Sequence, residues 1–438
     1  MINIAELALK DVRCFAKEQS VHLAPLTFLV GENSTGKSTV LGCYHALCRI
    51  LENNKFEKNL SHLFNTAPYE MGSFSDIVRN RQKSFTLTAQ LQEIHRKISF
   101  EFIDRGLGFF VNKIHIFLGN KKQIILHSNY ERFNTYPSLF FNTSSSGISE
   151  VKADNNIYHV YSNAPLHTFM NFRLYAMHNV EPFLPPEFKT QELVECMTLF
   201  HFGIFSFLPQ HTMKDIINIA PIRSKPKRTY NPLNEGYKLA GEDIPIYLMR
   251  IKLSTRKEEK KIRTALKEFG KVSGLFDKIE VKSFSKKINE PFQLQVTLHG
   301  KNVNLLDTGY GISQILPILV KIFSNEGPST MLLQQPETHL HPRGQAELSS
   351  LLISAVAEKK QQFIIETHSD YMIDRARIEI RKGKIKPEDV SLVYFEIKNK
   401  QAITYNIGFD AQGNLTNVPK GYRKFFVREC DTLLGFDE

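Results

Sequence analysis

The sequence predicts an α/β protein, and three observations support this fold class. Stretches with strand-like alternation and stretches with helical periodicity follow one another at both ends of the chain. A glycine-bearing loop joins an apolar strand, residues 26–30, to an apolar helical pattern, TVLGCYHALCRIL. The 438 residues are 42% hydrophobic, which is enough to fill the cores of about two or three domains.

Composition divides the chain into three predicted segments. Residues 1–125 contain strands and turns around one helix and include the glycine-bearing loop. Residues 126–290 contain a Ser-rich loop, aromatic-rich stretches and a basic helical pattern, which predict a mainly helical insertion or arm. Residues 291–438 return to alternating patterns, among them PFQLQVTLHG, SQILPILVKIF and QFIIET. We therefore expect one α/β domain built from both ends of the chain.

Cysteine spacing and hydropathy narrow the class of protein. The five cysteines form no CxxC pair, so neither a structural zinc nor a disulfide scaffold is indicated. The N-terminus has no basic-then-apolar signal pattern, and no apolar run approaches the roughly 18 residues of a membrane span. We expect a cytoplasmic protein with reduced thiols and no membrane partner.

Positive charge is concentrated in the middle of the chain. The formal net charge is +11, and residues 221–290 hold 18 Lys or Arg against 9 Asp or Glu, a difference of +9. Such a surface can bind DNA or RNA. The stretch STRKEEKKIRTALKEF also mixes both signs as an ordinary solvated helix does, so the two interpretations carry equal weight.

The glycine-bearing loop, residues 31–39 (GENSTGKST), fits the pattern G-x-x-x-x-G-K-[ST]. Glycines let backbone N–H groups surround phosphate oxygens, and the following helix N-terminus adds positive potential. We expect Lys37 to reach the β- and γ-phosphates of ATP and Ser38 to join the shell of Mg2+. No NKxD guanine-reading motif is present. The residues predicted to bind nucleotide here are Gly31, Asn33, Ser34, Thr35, Gly36, Lys37, Ser38 and Thr39.

Three further elements follow downstream. Residues 307–314, DTGYGISQ, carry Gly309, Gly311 and Ser313, and we expect Ser313 to cap the helix that follows and to present its hydroxyl to an anion. Residues 331–342 read MLLQQPETHLHP. Residues 363–370, FIIETHSD, place His368 at the end of an apolar strand, where ligands collect in parallel sheets.

In this order the four elements resemble the ABC-type ATPase heads of the OLD, RecF and Rad50 group. Stand-alone bacterial ATPases of that group are the most similar in pattern. The segments that match them are LKDVRCF (9–15), GSFSDIV (72–78), PIRSKPKRTY (221–230) and DAQGNL (410–415).

The resemblance implies an ABC-type, SMC/Rad50-like P-loop head with a β-rich N-terminal lobe, and ATP and Mg2+ as cofactors. It also implies that two protomers sandwich ATP, so the protein would form a homodimer or a higher homo-oligomer. Gly309, Gly311 and Ser313 would then contact nucleotide held by the partner's loop. His368 would sense the γ-phosphate, and Arg13 would lie near the nucleotide.

The strand MLLQQ departs from the pattern of such heads, which end it in Asp-Glu. Gln334 stands at the Mg2+ position and Gln335 at the position that polarises the attacking water. An amide can orient water but cannot take a proton, and loss of a base typically costs about 10^2 to 10^4 in rate. Glu337 is the nearest carboxylate. We therefore expect tight ATP binding with slow or conditional hydrolysis, and leave enzymatic activity open.

The resemblance also suggests a biological role. Only 70 residues follow His368, without a D-x-D cluster, so we expect no nuclease within this chain. Stand-alone heads of this kind resemble anti-phage defence ATPases such as PtuA of Septu and AriA of PARIS. That resemblance implies a nucleotide-gated sensor or scaffold that controls a separate nuclease effector. The alternative is an ATP-dependent DNA clamp like RecF or Rad50, in repair or chromosome maintenance.

Overall fold

The computed structural model describes residues 4–52, 59–92, 96–106, 108–117, 123–128, 148–154, 157–162, 215–221, 223, 225–231, 244–254, 256–284 and 290–434. The chain forms two compact units. The first contains Met1–His22, Ser38–Lys214 and Ile397–Ile403, and the second contains Leu23–Lys37, Asp215–Glu396 and Thr404–Glu438. The segment boundaries expected at residues 125 and 290 stay predictions.

The first unit contains an eight-stranded sheet in the order β2-β1-β4-β5-β6-β7-β9-β8. Its neighbouring strands pair antiparallel except for β7 and β9. The strands are β1 (Ile4–Lys10), β2 (Gln19–His22), β4 (Ser84–Leu91), β5 (Arg96–Asp104), β6 (Phe109–Phe117), β7 (Gln123–Ser128), β8 (Ile148–Asp154) and β9 (Ile157–Ser162). Three helices lie between them in sequence: α1 (Lys37–Glu52), α2 (Ser61–Phe64) and α3 (Phe74–Ile77).

An aromatic cluster fills part of the core of this unit. Phe85 and Phe102 are direct partners on β4 and β5, and their rings stack with centroids 4.9 Å apart. Phe64 packs edge-on against both rings at 5.7 and 5.4 Å. Cross-strand aromatic pairs stabilise sheets beyond the area that they bury. The alternation of apolar and polar residues in SFTLTAQL therefore places the apolar side chains of β4 in this core.

The second unit contains a seven-stranded sheet in the order β10-β14-β15-β3-β16-β17-β18. The five strands from β10 to β16 run parallel. The strands are β3 (Leu26–Gly31), β10 (Asp215–Ile219), β14 (Ser329–Gln334), β15 (Gln362–Glu366), β16 (Val390–Lys398), β17 (Gln401–Phe409) and β18 (Leu415–Thr416). Every residue of β14 and β15 is buried, as is typical of central parallel strands covered on both faces.

The other elements of this unit are six helices and a small sheet among the described residues. The helices are α4 (Ile244–Ser254), α5 (Arg256–Ser273), α6 (Tyr310–Ser324), α7 (Pro342–Lys359), α8 (Asp370–Arg381) and α9 (Lys424–Leu433). A three-stranded antiparallel sheet consists of β11 (Lys278–Ser283), β12 (Phe292–Leu298) and β13 (Lys301–Asn304). Alternating strands and helices around a parallel sheet confirm the predicted α/β class.

The range 126–290, predicted as a mainly helical insertion, has a mixed character in its described part. It contains β8, β9, β10 and β11 as well as α4 and α5. The strand sequence IYHVYS is rich in β-branched and aromatic residues, which favour a pleated surface. Among the described residues, no helix is both long and apolar enough to span a membrane.

Candidate nucleotide-binding site

The glycine-bearing loop leaves the sheet at the carboxyl end of β3. Gly31 has φ +143°, and a Cβ there would stand 2.3 Å from the carbonyl oxygen of Phe395 on neighbouring β16. Only glycine fits this position without displacing β16. Ser34 and Gly36 also have positive φ, 62° and 102°, and α1 begins directly afterwards at Lys37. The loop therefore makes the strand-to-helix turn that its sequence predicted.

Lys37 is held at the mouth of this loop. Its side chain is 3% exposed, and its Nζ donates to the carbonyl oxygens of Gly31 and Glu32 at 3.0 and 2.7 Å. Burial lowers the pKa of Lys37, while the carboxylates of Glu366 and Glu32 act to raise it. A desolvated ammonium gains more from an anion than an exposed one does. Lys37 is thus a buried ammonium held at the loop, and its predicted contact with phosphate stays a prediction.

The remaining loop residues take different environments. Thr35 is buried and donates its hydroxyl to Glu32 O at 2.8 Å, whereas Asn33, Ser34 and Ser38 are exposed. Ser38 and Thr39 stand in the first turn of α1 and belong to the first unit. Their predicted contacts with nucleotide and Mg2+ stay predictions.

Arg13 lies in the first unit and is bound by three acceptors. Its guanidinium donates to Thr39 Oγ1 at 3.4 Å, to Met71 O at 3.0 Å and to Asp76 O at 3.4 Å. These contacts join the first turn of α1 to the segment GSFSDIV, in which Ser73 and Asp76 form a capping box. Two motifs that the resemblance named separately are therefore connected through one arginine.

The two glutamines stand where β14 ends, beside the end of β15. Gln334 is 8% exposed and pairs in register with Glu366, and its Nε2 lies 3.5 Å from Glu366 Oε2. Gln335 has φ +43°, and its backbone N–H donates to Glu366 O at 2.8 Å. Sequence reasoning missed Glu366, because the strand QFIIE reads as an ordinary buried strand until its register with β14 is known.

Glu337 and His368 are brought together by one hydrogen bond. Glu337 is 8% exposed, and its Oε1 accepts from the backbone N–H of His368 at 2.7 Å. Its Oε2 is buried without a hydrogen-bond partner among the described residues. The His368 side chain is exposed. Glu337 therefore fixes the backbone from which His368 projects.

Arg223 is a second residue that sequence reasoning missed. It is 4% exposed, and its two terminal nitrogens donate to Gln314 O at 3.0 Å and to Gln334 O at 3.4 Å. Burial lowers the pKa of Arg223 to about 10, and the charge of Glu337 opposes that shift. The segment PIRSKPKRTY contains it, but composition marked this segment only as basic and gave no sign of which arginine is buried.

In the segment DTGYGISQ, Ser313 is not the helix cap that the sequence predicted. Helix α6 begins at Tyr310 with Gly309 as its N-cap, so Ser313 lies inside the helix and does not cap it. Ser313 is 7% exposed, and its hydroxyl donates back to Tyr310 O at 2.9 Å, a bond that serines commonly make within helices. The helix starts four residues earlier than predicted because a glycine in an extended conformation already serves as the cap.

The two glycines of this segment have different surroundings. A Cβ at Gly311 would stand 2.6 Å from His339 O, so glycine is needed for the helix to pack against the loop after β14. A Cβ at Gly309 would meet nothing within 4 Å, and its φ of −61° suits any residue. Contacts within the described residues therefore do not explain the glycine at position 309.

The PETHLHP turn uses its histidines structurally. His341 is the N-cap of α7, and its Nδ1 accepts from Arg343 N at 3.3 Å. The ring of His339 lies 5.9 Å from that of Tyr310. The turn therefore starts one helix and contacts another.

Comparison with known proteins adds a family match. Residues 221–373 match the model of the AAA ATPase domain, a range that includes Arg223, DTGYGISQ, both glutamines and His368. No curated protein matches the chain.

Three solved structures similar to the chain are SMC head domains. One is an SMC head bound to the C-terminal winged-helix domain of ScpA, with 12% identity, TM-score 0.43 and coverage of 93% of this chain and 98% of that one. Another, with an extended coiled coil and bound to the C-terminal domain of ScpA, derives from Pyrococcus furiosus (11% identity, TM-score 0.41, coverage 100% and 99%). A third is from Thermotoga maritima (10% identity, TM-score 0.37, coverage 92% and 98%).

The phosphate loop, the parallel sheet and the family match define the class of protein. The fold is α/β, as the sequence predicted, and the glycine-bearing loop joins β3 of the parallel sheet to α1. Within it, residues 221–373 are similar to the AAA ATPase domain.

The two glycines give a matched test of this geometry. We expect Gly311→Ala to lower the free energy of unfolding by about 1 to 3 kcal/mol, because the added methyl overlaps a backbone oxygen that cannot move freely. Gly309→Ala should change it far less, since the space there is open. Urea denaturation of both variants measures the difference, and equal stabilities would contradict the close packing of α6 against the loop.

Proposed function

We propose that this protein is an ATP-binding, slowly hydrolysing ABC-type ATPase that acts as a nucleotide-gated switch. The observation that carries the proposal is the buried Lys37 at the phosphate loop, beside a sheet edge where both expected carboxylates are glutamines. The residues present suit a Mg2+-bound triphosphate. Loop N–H groups and Lys37 offer donors to phosphate, while amide and carboxylate oxygens offer ligands to the cation.

Six of the predicted residues have a stated role in this proposal. Lys37 neutralises the β- and γ-phosphates, Ser38 and Gln334 contribute to the Mg2+ shell, and Gln335 orients the attacking water. Glu337 acts through His368, whose backbone it holds at 2.7 Å. Mg2+ supplies charge neutralisation at the phosphates. The chain's own part is to bind, to orient and to limit proton transfer, because neither glutamine can accept a proton.

Slow hydrolysis is the first consequence. We expect the wild-type protein to turn over well below one ATP per second, and Gln335→Glu to raise the rate by roughly 10^2-fold or more, because it restores a base at the water position. Phosphate release measured with the purified protein gives both rates, and Lys37→Ala is the control for contaminating ATPase. A wild-type enzyme that turns over many ATP per second, unchanged by Glu337→Gln, would contradict the proposal.

Dimer formation is the second part of the proposal. In a sandwich, the N-terminus of α6 approaches the nucleotide of the partner, and an unobstructed Gly309 leaves room for a phosphate. Tyr310 beside it is 56% exposed, so its ring is accessible to a partner. These features support a homodimer or a higher homo-oligomer that closes on ATP.

Closure should be visible in solution. We expect ATP with Mg2+ to convert monomer to dimer, and Gly309→Glu to abolish that conversion because a carboxylate would meet the partner's γ-phosphate. Gly327→Glu is the matched control, since a side chain at that glycine also meets open space. Light scattering after size exclusion measures the mass. A dimer that forms equally with Lys37→Ala would show that nucleotide does not control assembly.

The switch has two candidate uses. The first is a sensor or scaffold in a bacterial anti-phage defence complex that holds or releases a separate nuclease effector, as in the ATPases that the sequence resembles. A neighbouring gene for an HNH or Toprim nuclease would support it. The second is a DNA clamp in repair or chromosome maintenance. A neighbouring cluster of replication or repair genes would support it.

One surface feature favours contact with nucleic acid in either use. On α5, Lys260, Lys267 and Lys271 are exposed at helical spacing on the face opposite the buried Ile262 and Leu266. Their neighbours Lys261 and Arg263 instead pair with Glu326 and Glu280, at 2.6 and 4.0 Å. The lysine row is therefore the part of the basic segment best suited to phosphates.

Nucleic-acid binding can be tested on this row. We expect Lys260→Gln, Lys267→Gln and Lys271→Gln together to weaken DNA or RNA binding and to reduce its salt dependence by roughly one unit of slope per lysine. Lys261→Gln with Arg263→Gln is the matched control and should have a smaller effect, because acidic partners already occupy those cations. Fluorescence anisotropy across a salt series measures both. Wild-type protein that binds neither DNA nor RNA would remove the clamp hypothesis.

A further inference from the structure

The carboxylate missing from β14 has a counterpart one strand away. Glu366 is the last residue of β15, the strand that lies between β14 and the phosphate-loop strand β3. It pairs in register with Gln334 on one side and with Leu29 on the other. Paired residues of neighbouring strands point to the same face of a sheet, about 4.8 Å apart. The Glu366 side chain therefore stands beside that of Gln334.

The Glu366 carboxylate contacts the Gln334 amide, and its charge acts on the loop lysine. Gln334 Nε2 lies 3.5 Å from Glu366 Oε2, which turns the amide nitrogen toward the carboxylate and leaves the amide oxygen for another partner. Glu366 also interacts electrostatically with Lys37, the residue proposed to bind phosphate. At 7% exposure the carboxylate is almost fully buried. A buried carboxylate needs positive charge nearby.

Two other carboxylates, those of Glu337 and Glu32, could also serve as Mg2+ ligands at this edge of the sheet. The geometry disfavours both. Glu337 uses one oxygen for the backbone of His368 at 2.7 Å and faces the charge of Arg223. Glu32 is exposed on the loop, where water screens its charge. Glu366 combines burial, proximity to Lys37 and register with the Mg2+ position. Mg2+ in nucleotide sites is bound through one or two carboxylates together with phosphates and waters.

We propose that Glu366 supplies from β15 the negative charge that β14 lacks, and that it holds the Mg2+ of bound ATP together with the amide oxygen of Gln334. The site would thus keep its metal while its water-polarising position remains an amide. This protein would therefore bind Mg2+ with ATP and still hydrolyse ATP slowly. The inference rests on the proposed binding of ATP with Mg2+.

The test measures metal binding and not turnover. For the full-length protein with saturating ATP, Mn2+ affinity is read by electron paramagnetic resonance, and ATP affinity is read separately in EDTA. We expect Glu366→Gln to weaken Mn2+ binding by about 10- to 100-fold. Its ATP affinity in EDTA should be unchanged or tighter, because a negative charge near the phosphates is gone. Glu337→Gln should keep the Mn2+ affinity.

A second variant tests whether the carboxylate can act from the neighbouring strand. Combining Gln334→Glu with Glu366→Gln exchanges the two side chains across the strand pair, and we expect it to regain most of the Mn2+ affinity. Normal Mn2+ affinity in Glu366→Gln would overturn the inference. Loss of ATP affinity in EDTA would overturn it as well, because it would show that Glu366 is a structural partner of Lys37 and not a metal ligand. The exchange variant would overturn the inference too if its melting temperature equals that of the wild type while its Mn2+ affinity remains weak. Wild-type protein that binds no ATP would instead refute the proposed function itself.

Discussion

The register of three parallel strands, β14, β15 and β3, is the constraint on which the second unit depends. Main-chain bonds fix it at the strand ends, from Gln335 N to Glu366 O at 2.8 Å and from Thr367 N to Leu29 O at 3.1 Å. Because side chains alternate along a strand, a slip of one residue would turn each of these side chains to the opposite face. The phosphate loop, the glutamines and His368 meet at one edge because these strands end together.

Charge at this edge is balanced among buried groups. Lys37 and Arg223 are 3% and 4% exposed, and Glu337 and Glu366 are 8% and 7% exposed. Two cations therefore stand with two carboxylates, and an isolated member would be costly to bury. Carboxylates at both glutamine positions would add two negative charges to this set. The amides of Gln334 and Gln335 thus suit an edge whose buried carboxylates, Glu366 and Glu337, come from the next strand and the next turn.

Sequence reasoning located the elements of the site but not all of their contacts. The phosphate loop, the strand before it and the helix after it were predictable because glycine, lysine and hydroxyl residues at this spacing seldom occur outside phosphate-binding loops. Ser313 does not act as the predicted cap, since a preceding glycine can end the loop equally well. Glu366 and Arg223 gave no local signal. One is the last letter of an apolar strand, and the other is one of four basic residues in PIRSKPKRTY.

By itself, the sequence determined the α/β class, the pattern of the phosphate loop and the two glutamines where β14 ends, because these depend on residue type and local spacing. Only the tertiary structure decided which acidic and basic groups stand at the site. Residues 223, 334, 337 and 366 are separated by as many as 143 positions in the chain, and the pairing of β14 with β15 brings two of them into register. Such pairing is set by the packing of whole strands in the sheet, and no local pattern encodes it.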